Sequence, residues 1–192
     1  MAKVSLLPRG FKSKAEKTAI ALRTELGLLA SDPLCGFKLA EHLNVKVFTP
    51  LEIFPAETNI EDLVGSDKGW SALTMKTGSD ATIIIHNHLH APARQQSNLM
   101  HEMAHIICCH KQPERHKGIN LPFIMREFDP QQEQEANYLG SALQITRDGL
   151  LWALKKRMEV AEIAEHYNAS PAMVTLRINT TAVKKQLGYM GY

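Results

Sequence analysis

The sequence predicts an α+β chain: a small three-stranded sheet packed on a helix that carries an H-E-x-x-H motif, then a helical C-terminal bundle. Three observations lead there. Short runs rich in β-branched and apolar residues at 45–48, 69–76 and 81–86 read as strands. The stretch from Arg94 to His110 has a helical apolar stripe, and everything beyond residue 146 is helical in pattern. The chain divides accordingly into residues 1–146 and a smaller helical unit, 147–192.

Residues 13–29 form an amphipathic helix with Ala15, Ala19, Leu22, Leu26 and Leu29 in step, ending near Gly27. Asp32-Pro33 begins a turn, and Gly36 to Asn44 makes a second short helix with Phe37, Leu39, Ala40 and Leu43. Val45 to Phe48 is a strand stopped by Pro50, and residues 51–68 are loop with a helical turn around Ile60 to Leu63. Gly69–Lys76 and Ala81–His86 are strands joined by Thr77-Gly78-Ser79-Asp80, a hairpin signal. In the helix from Arg94 to His110, Leu99, Met103, Ile106 and Ile107 follow the spacing of a buried stripe. Residues 111–128, with Pro113, Gly118 and Pro122, form a long loop over it. Asp129 as N-cap, Pro130 at N1 and Gln132 at N3 start a helix to about Gln144. Its small residues Ala136, Gly140, Ser141 and Ala142 let it approach the first helix closely. Arg147 to Arg157 is a further helix. Val160–Tyr167, a three-residue turn and Pro171–Ile178, capped by Ser170, have the pattern of a helix-turn-helix, with Ala164 small at the crossing.

With 192 residues, 44% of them hydrophobic, the chain can bury one good core. A net charge of +2 makes no case for nucleic acid at the level of the whole chain. Three cysteines, Cys35, Cys108 and Cys109, do not build a disulfide framework. No apolar run has signal-peptide or membrane-span length, so the expected location is the cytoplasm and no membrane partner is expected.

The motif is His101-Glu102-Met103-Ala104-His105. Histidines four apart on a helix share one face, roughly 6 Å apart, and can grip one metal ion. Glu102 stands where it can take a proton from a metal-activated water, the arrangement of zincin peptidases. With nine histidines in the chain, chance can produce such a pentapeptide, so its surroundings decide. The helix is apolar on several sides, and two histidines and a glutamate do not belong on a buried helix without a task. Zinc needs a third protein ligand. Cys108 and Lys111 occupy the positions where a metzincin has glycine and histidine, and His110, five residues past His105, points away from the ligand face. A glutamate from the second helix can serve instead: Glu133, with Glu135 as competitor, against the alternative that both merely complement the helix dipole. His86, Asn87, His88 and His90, and separately Tyr138, are candidate oxyanion donors. Asn137 is a candidate to support a ligand histidine. A peptide substrate is expected to add as an extra strand to the sheet edge.

H-E-x-x-H followed by Glu133-x-x-Ala136-Asn137 resembles the ImmA/IrrE family of bacterial metallopeptidases. Phe37 to Val47 resembles that family's early helix-to-strand segment. Ile83-Ile84-Ile85-His86-Asn87 and Ala93-Arg94-Gln95-Gln96 resemble the lead into its metal helix. The similarity spans roughly residues 15–180. The run Leu143-Gln144-Ile145-Thr146 departs from the family in lacking a proline, which alters the helix exit and leaves the ligands untouched. The resemblance implies a gluzincin-like zinc endopeptidase with His101, His105 and Glu133 as ligands and Glu102 as base. Zinc is the expected ion, with manganese the alternative. The implied partner is a protein substrate, a helix-turn-helix repressor whose cleavage releases stress or mobile-element genes.

The rival is a DNA- or protein-binding regulator with a structural or vestigial metal site. Thr175, Arg177, Asn179 and Thr180 would face DNA, with Lys184 and Lys185 on phosphate. Glu159, Glu162 and Glu165 on the preceding helix oppose that. A structural zinc site is closed by four protein ligands and has no use for Glu102, which separates the two readings.

Overall fold

The computed structural model describes residues 5–53, 70–76, 81–110 and 129–188. Its elements are α1 (Phe11–Glu25), α2 (Gly36–His42), β1 (Lys46–Phe48), α3 (Pro50–Ile53), β2 (Ala72–Lys76), β3 (Thr82–His86) and α4 (Pro92–Ile107). The chain continues with α5 (Pro130–Gln144), α6 (Arg147–Lys155), α7 (Val160–His166), α8 (Pro171–Thr181) and α9 (Val183–Gln186). The chain is α+β, with a mixed three-stranded sheet and nine helices among the described residues.

β3 is the central strand, parallel to β1 and antiparallel to β2. Ile83, Ile84 and Ile85 are all buried, as a continuous apolar run in a strand covered on both faces should be. The register sets Thr74 opposite Ile84, so Thr74 is the buried polar residue on β2.

α4 begins at Pro92, two residues before Arg94, because proline suits the first helical position. Leu99 and Met103 are fully buried, while Ile106 and Ile107 are partly covered. α5 starts as its sequence foretells: the Asp129 carboxylate accepts from the backbone N–H of Gln131 at 2.8 Å and of Gln132 at 3.3 Å. At Gly140 a Cβ would stand 3.0 Å from the Met100 carbonyl oxygen and 3.1 Å from the His101 Cα. Glycine therefore allows this close approach of α5 to α4 without displacing the α4 backbone, and the approach carries Glu133 to the H-E-x-x-H face.

α1 is shorter than its apolar spacing suggests. It stops at Glu25, with Gly27 at φ +72°, and Leu29 lies beyond it, 70% exposed. The apolar period continued past a residue that ends helices, and the glycine decided. The expected turn around Ile60 to Leu63, the Thr77–Asp80 connection and the loop 111–128 lie outside the described residues.

The apolar interior has two parts. One joins α1, α2, α4 and α5 through residues such as Leu22, Leu39, Leu99, Met103 and Leu143. The other is Ile145, Leu150, Ile163, Val174 and their neighbours in the last four helices. Between them lies a buried polar junction. Arg23, fully buried on α1, donates to the carbonyls of Leu143 at 2.9 Å and Gln144 at 3.3 Å, satisfying the open C-terminal end of α5. Arg177, fully buried on α8, donates to the Ile145 carbonyl at 2.8 Å and to the Glu16 carboxylate. Burial pulls the Arg23 guanidinium down to about 10, against the nearby Tyr167, Asp32 and Glu16. The expectation that Arg177 faces DNA is thus corrected: its charge is spent inside the protein.

Candidate metal centre

His101 and His105 leave α4 on one face, and Glu133 enters from the first turn of α5. The two Nε2 atoms are 3.1 Å apart. Glu133 spans them: Oε2 lies 3.5 Å from His101 Nε2 and Oε1 lies 3.3 Å from His105 Nε2. Each side chain is partly covered, with exposures of 27%, 14% and 24%.

This donor set fits a zinc ion. Tetrahedral zinc with bonds of about 2.0–2.1 Å holds neighbouring donor atoms roughly 3.3 Å apart. The three observed separations bracket that value. A single N–H can bridge the two Nε2 atoms at 3.1 Å, and the donor atoms of His101, His105 and Glu133 all lie within 4.8 Å of one another, close enough to share a metal ion instead. Sequence reasoning left Glu133 and Glu135 as rivals; the structure brings Glu133 to both Nε2 atoms and sends Glu135 elsewhere.

Glu102, one residue and about 100° beyond His101, points from α4 toward the sheet and is 3% exposed. Its Oε2 accepts a hydrogen bond from the Thr74 hydroxyl of β2. A buried carboxylate is costly unless partnered, and Thr74 supplies a partner from the neighbouring edge strand. Sequence reading did not find Thr74, since a threonine in a strand is ordinary; only the β2 register reveals it.

Two further side chains were assigned otherwise by the sequence. His110 does lie off the ligand face, yet it is not turned to solvent. Cys109 adopts φ +53° after the helix end, and the reversal returns the His110 ring to the back of His105, with Nδ1 atoms 2.9 Å apart. The other ring nitrogen of His110 lies 3.0 Å from Glu135 Oε2, and Gln131 Nε2 donates to Glu135 Oε1 at 2.8 Å. Burial pushes the Glu135 carboxyl up, but the hydrogen bonds from Gln131 and His110 prevail and hold it below its ordinary value. A repeated histidine and a second glutamate near the motif were the available signals; the left-handed cysteine gave none.

Of the candidate oxyanion donors, Asn87, His90 and Tyr138 have structural duties, whereas His86 Nδ1 and His88 Nδ1 are buried without a hydrogen bond among the described residues. The Asn87 side chain donates to the Trp70 carbonyl at 3.0 Å and accepts from the Leu89 N–H at 2.9 Å. The two ring nitrogens of His90 face the amides of Asn87 and Asn98, each at 3.3 Å. His86 is buried, and burial first, then the nearby His88, lowers its pKa. Tyr138 turns to the other side of α5, where its hydroxyl meets Glu16 at 3.3 Å. Asn137 is exposed, and His110 stands where support for His105 was sought. A small groove lined by Ser97, Asn98, His101, Asn137, Gly140 and Met173 opens beside the cluster.

In this α+β fold two helices thus bring His101, His105 and Glu133 together, with the buried Glu102 one residue along from His101. The sequence profile of the IrrE N-terminal-like domain, a peptidase family, matches residues 40–179, and the chain belongs to that family. The match begins at residue 40, later than the similarity read from the sequence. Comparison with curated proteins returns no match. No helix among the described residues is long and apolar enough to cross a membrane.

Proposed function

We propose that this protein is a zinc-dependent endopeptidase with His101, His105 and Glu133 as metal ligands and Glu102 as general base. The observation that carries the proposal is the meeting of three donor atoms at zinc-like separations next to a buried carboxylate. A zinc ion held by His101, His105 and Glu133 would supply Lewis acidity, activating a water and polarising the scissile carbonyl. Glu102 would be the group that accepts the proton of the attacking water and returns it to the leaving amine. The Thr74 hydroxyl fixes one Glu102 oxygen, so the carboxylate keeps one rotamer while the proton moves. β2 has no second strand partner among the described residues, and an extended peptide can add to such an edge through its backbone. That mode suits a protein substrate presented as an extended segment. We take the substrate to be a cytoplasmic regulator such as a helix-turn-helix repressor, on the family relationship.

The rival DNA-reading role loses Arg177, the one arginine on the supposed reading helix, to the interior. Glu102→Gln tests the mechanism against a proteome-derived peptide library read by mass spectrometry. The variant is expected to keep about one zinc per chain while cleavage drops 10²–10⁴-fold. Undiminished cleavage would remove Glu102 from the role. Elemental analysis of His101→Ala and Glu133→Ala is expected to show loss of the zinc that the wild type retains.

A further inference from the structure

Behind the ligand face, Glu135, His110 and His105 form a continuous hydrogen-bonded chain in which every link has ordinary length. The chain is enclosed: the His110 and Glu135 side chains are 6% and 13% exposed. The rings of His105 and His110 meet edge to face with centroids 4.9 Å apart. The backbone locks the arrangement as well, since the His110 N–H donates to the His105 carbonyl at 3.0 Å.

With both imidazoles neutral, the directions of these bonds follow from chemistry. A carboxylate only accepts, so His110 donates from Nε2 to Glu135. A neutral imidazole carries one N–H, so His110 Nδ1 is then an acceptor. The proton in the 2.9 Å contact therefore belongs to His105 Nδ1. With its Nδ1 protonated, His105 presents a lone pair at Nε2, where it can accept from His101 but stands 3.3 Å from the acceptor Glu133 Oε1, a pairing that a cation between them relieves. Metal-ligating histidines are commonly fixed by a carboxylate or carbonyl on the second nitrogen. Here the carboxylate acts at one remove, through a second imidazole.

We propose that His110 and Glu135 are positioning residues: the Glu135–His110–His105 chain sets the tautomer and ring orientation of His105 so that Nε2 is ready to bind a metal. The proposal rests on the zinc reading above for its purpose, but its central statement concerns the metal-free protein. It also assigns a use to the left-handed Cys109, because only that reversal returns His110 to His105. Non-glycine residues in that conformation persist where the surroundings hold them.

Two measurements test it. Long-range ¹H–¹⁵N correlation spectra of chelator-stripped, ¹⁵N-labelled wild type are expected to show His105 protonated at Nδ1. They should show His110 protonated at Nε2. Zinc affinity, measured by competition with a chromogenic chelator, is expected to fall 10- to 100-fold in His110→Ala. His110→Gln, whose amide oxygen can accept from Nδ1–H, is expected to recover much of that loss. Glu135→Gln should retain more affinity than Glu135→Ala for the same reason. A His105 ring protonated at Nε2 in the stripped wild type would overturn the proposal whatever the metal result. So would zinc binding in His110→Ala within twofold of wild type. Cys108 also lies near His110 and Glu135. Two zinc ions per chain, one lost specifically in Cys108→Ser, would replace the relay with a second metal site. A wild type that binds no zinc would defeat the functional reading alone, since the tautomers remain measurable.

Discussion

The two ends of α5 hold buried polar clusters of opposite character. At its N-terminal end, Glu133 and Glu135 meet His101, His105 and His110, a set rich in acceptors. At its C-terminal end, the carbonyls of Leu143, Gln144 and Ile145 meet Arg23 and Arg177, and Glu16 balances the charge. The helix dipole favours anions at the first end and cations at the second, so both placements agree with it. They differ in what satisfies them. The C-terminal cluster pairs cations with carbonyls and a carboxylate from within the chain, and Glu16 also accepts from the Arg147 N–H at 2.9 Å, although Arg177 Nη1 and Gln144 Oε1 are buried without a hydrogen bond among the described residues. The N-terminal cluster converges two imidazole nitrogens and a carboxylate on one point. The C-terminal cluster ties α1, α5 and α8 together with partners from the chain, whereas the N-terminal cluster is the one proposed to hold a metal ion.

The sharpest way to break this comparison is to remove one residue from each end. Glu16→Ala leaves Arg177 buried without its counter-ion, and breaking a buried pair of this kind costs about 3 kcal/mol or more. For a chain of this size the melting temperature should fall by roughly 6–12 °C, with zinc affinity unchanged. Glu133→Ala should do the reverse. Metal-free stability should stay within about 1 kcal/mol of wild type, because the side chain is partly exposed and faces a crowded acceptor set. Its stabilisation by added zinc should disappear, although wild type at a thousandfold excess over Kd gains about 4 kcal/mol. Thermal melts with and without zinc decide both. Equal losses in the metal-free state would erase the distinction between the ends.

Smaller effects sharpen it. Gly140→Ala places a methyl against the α4 backbone, and the overpacking should cost about 1–3 kcal/mol. Because the helices must part, zinc affinity should fall too, and chelator competition would show it. Cys109→Gly relieves a left-handed residue and should raise stability by about 1 kcal/mol, read by chemical denaturation. The last prediction concerns Cys108. Burial, then the charge of Glu135, pushes its thiol from 9.0 to about 11. The unfolded chain loses that proton earlier than the folded one. Stability should thus fall more steeply in wild type than in Cys108→Ala as pH rises from about 9 toward 11. At mild pH an alkylating reagent should take the exposed Cys109 well before Cys108.

Much of the site was legible because it is local. His101, Glu102 and His105 sit on one helix, where a spacing of four fixes a shared face whatever the rest of the chain does. Asp129 and Pro130 announce the start of α5, and Ser170 accepts from the Met173 N–H at 3.1 Å as its type and position suggest. Glycine chemistry was equally readable: Gly27 ends α1, although an apolar period alone carried the helix to Leu29.

What the sequence determined by itself, then, was the set of elements and the helical half of the cluster, because capping and periodicity are short-range. Which glutamate meets the histidines was decided by the tertiary structure, through the depth to which Gly140 lets α5 sink against α4. The same holds for Thr74, delivered by strand register, and for His110, returned by a single positive φ that no residue type announces. Arg177 makes the point in reverse. An arginine in a helix-turn-helix pattern reads as a surface charge, and only the open carbonyl of Ile145 and the carboxylate of Glu16, far away in the chain, explain why it is buried. Long-range partners satisfy polar groups, and a linear sequence does not say who those partners are.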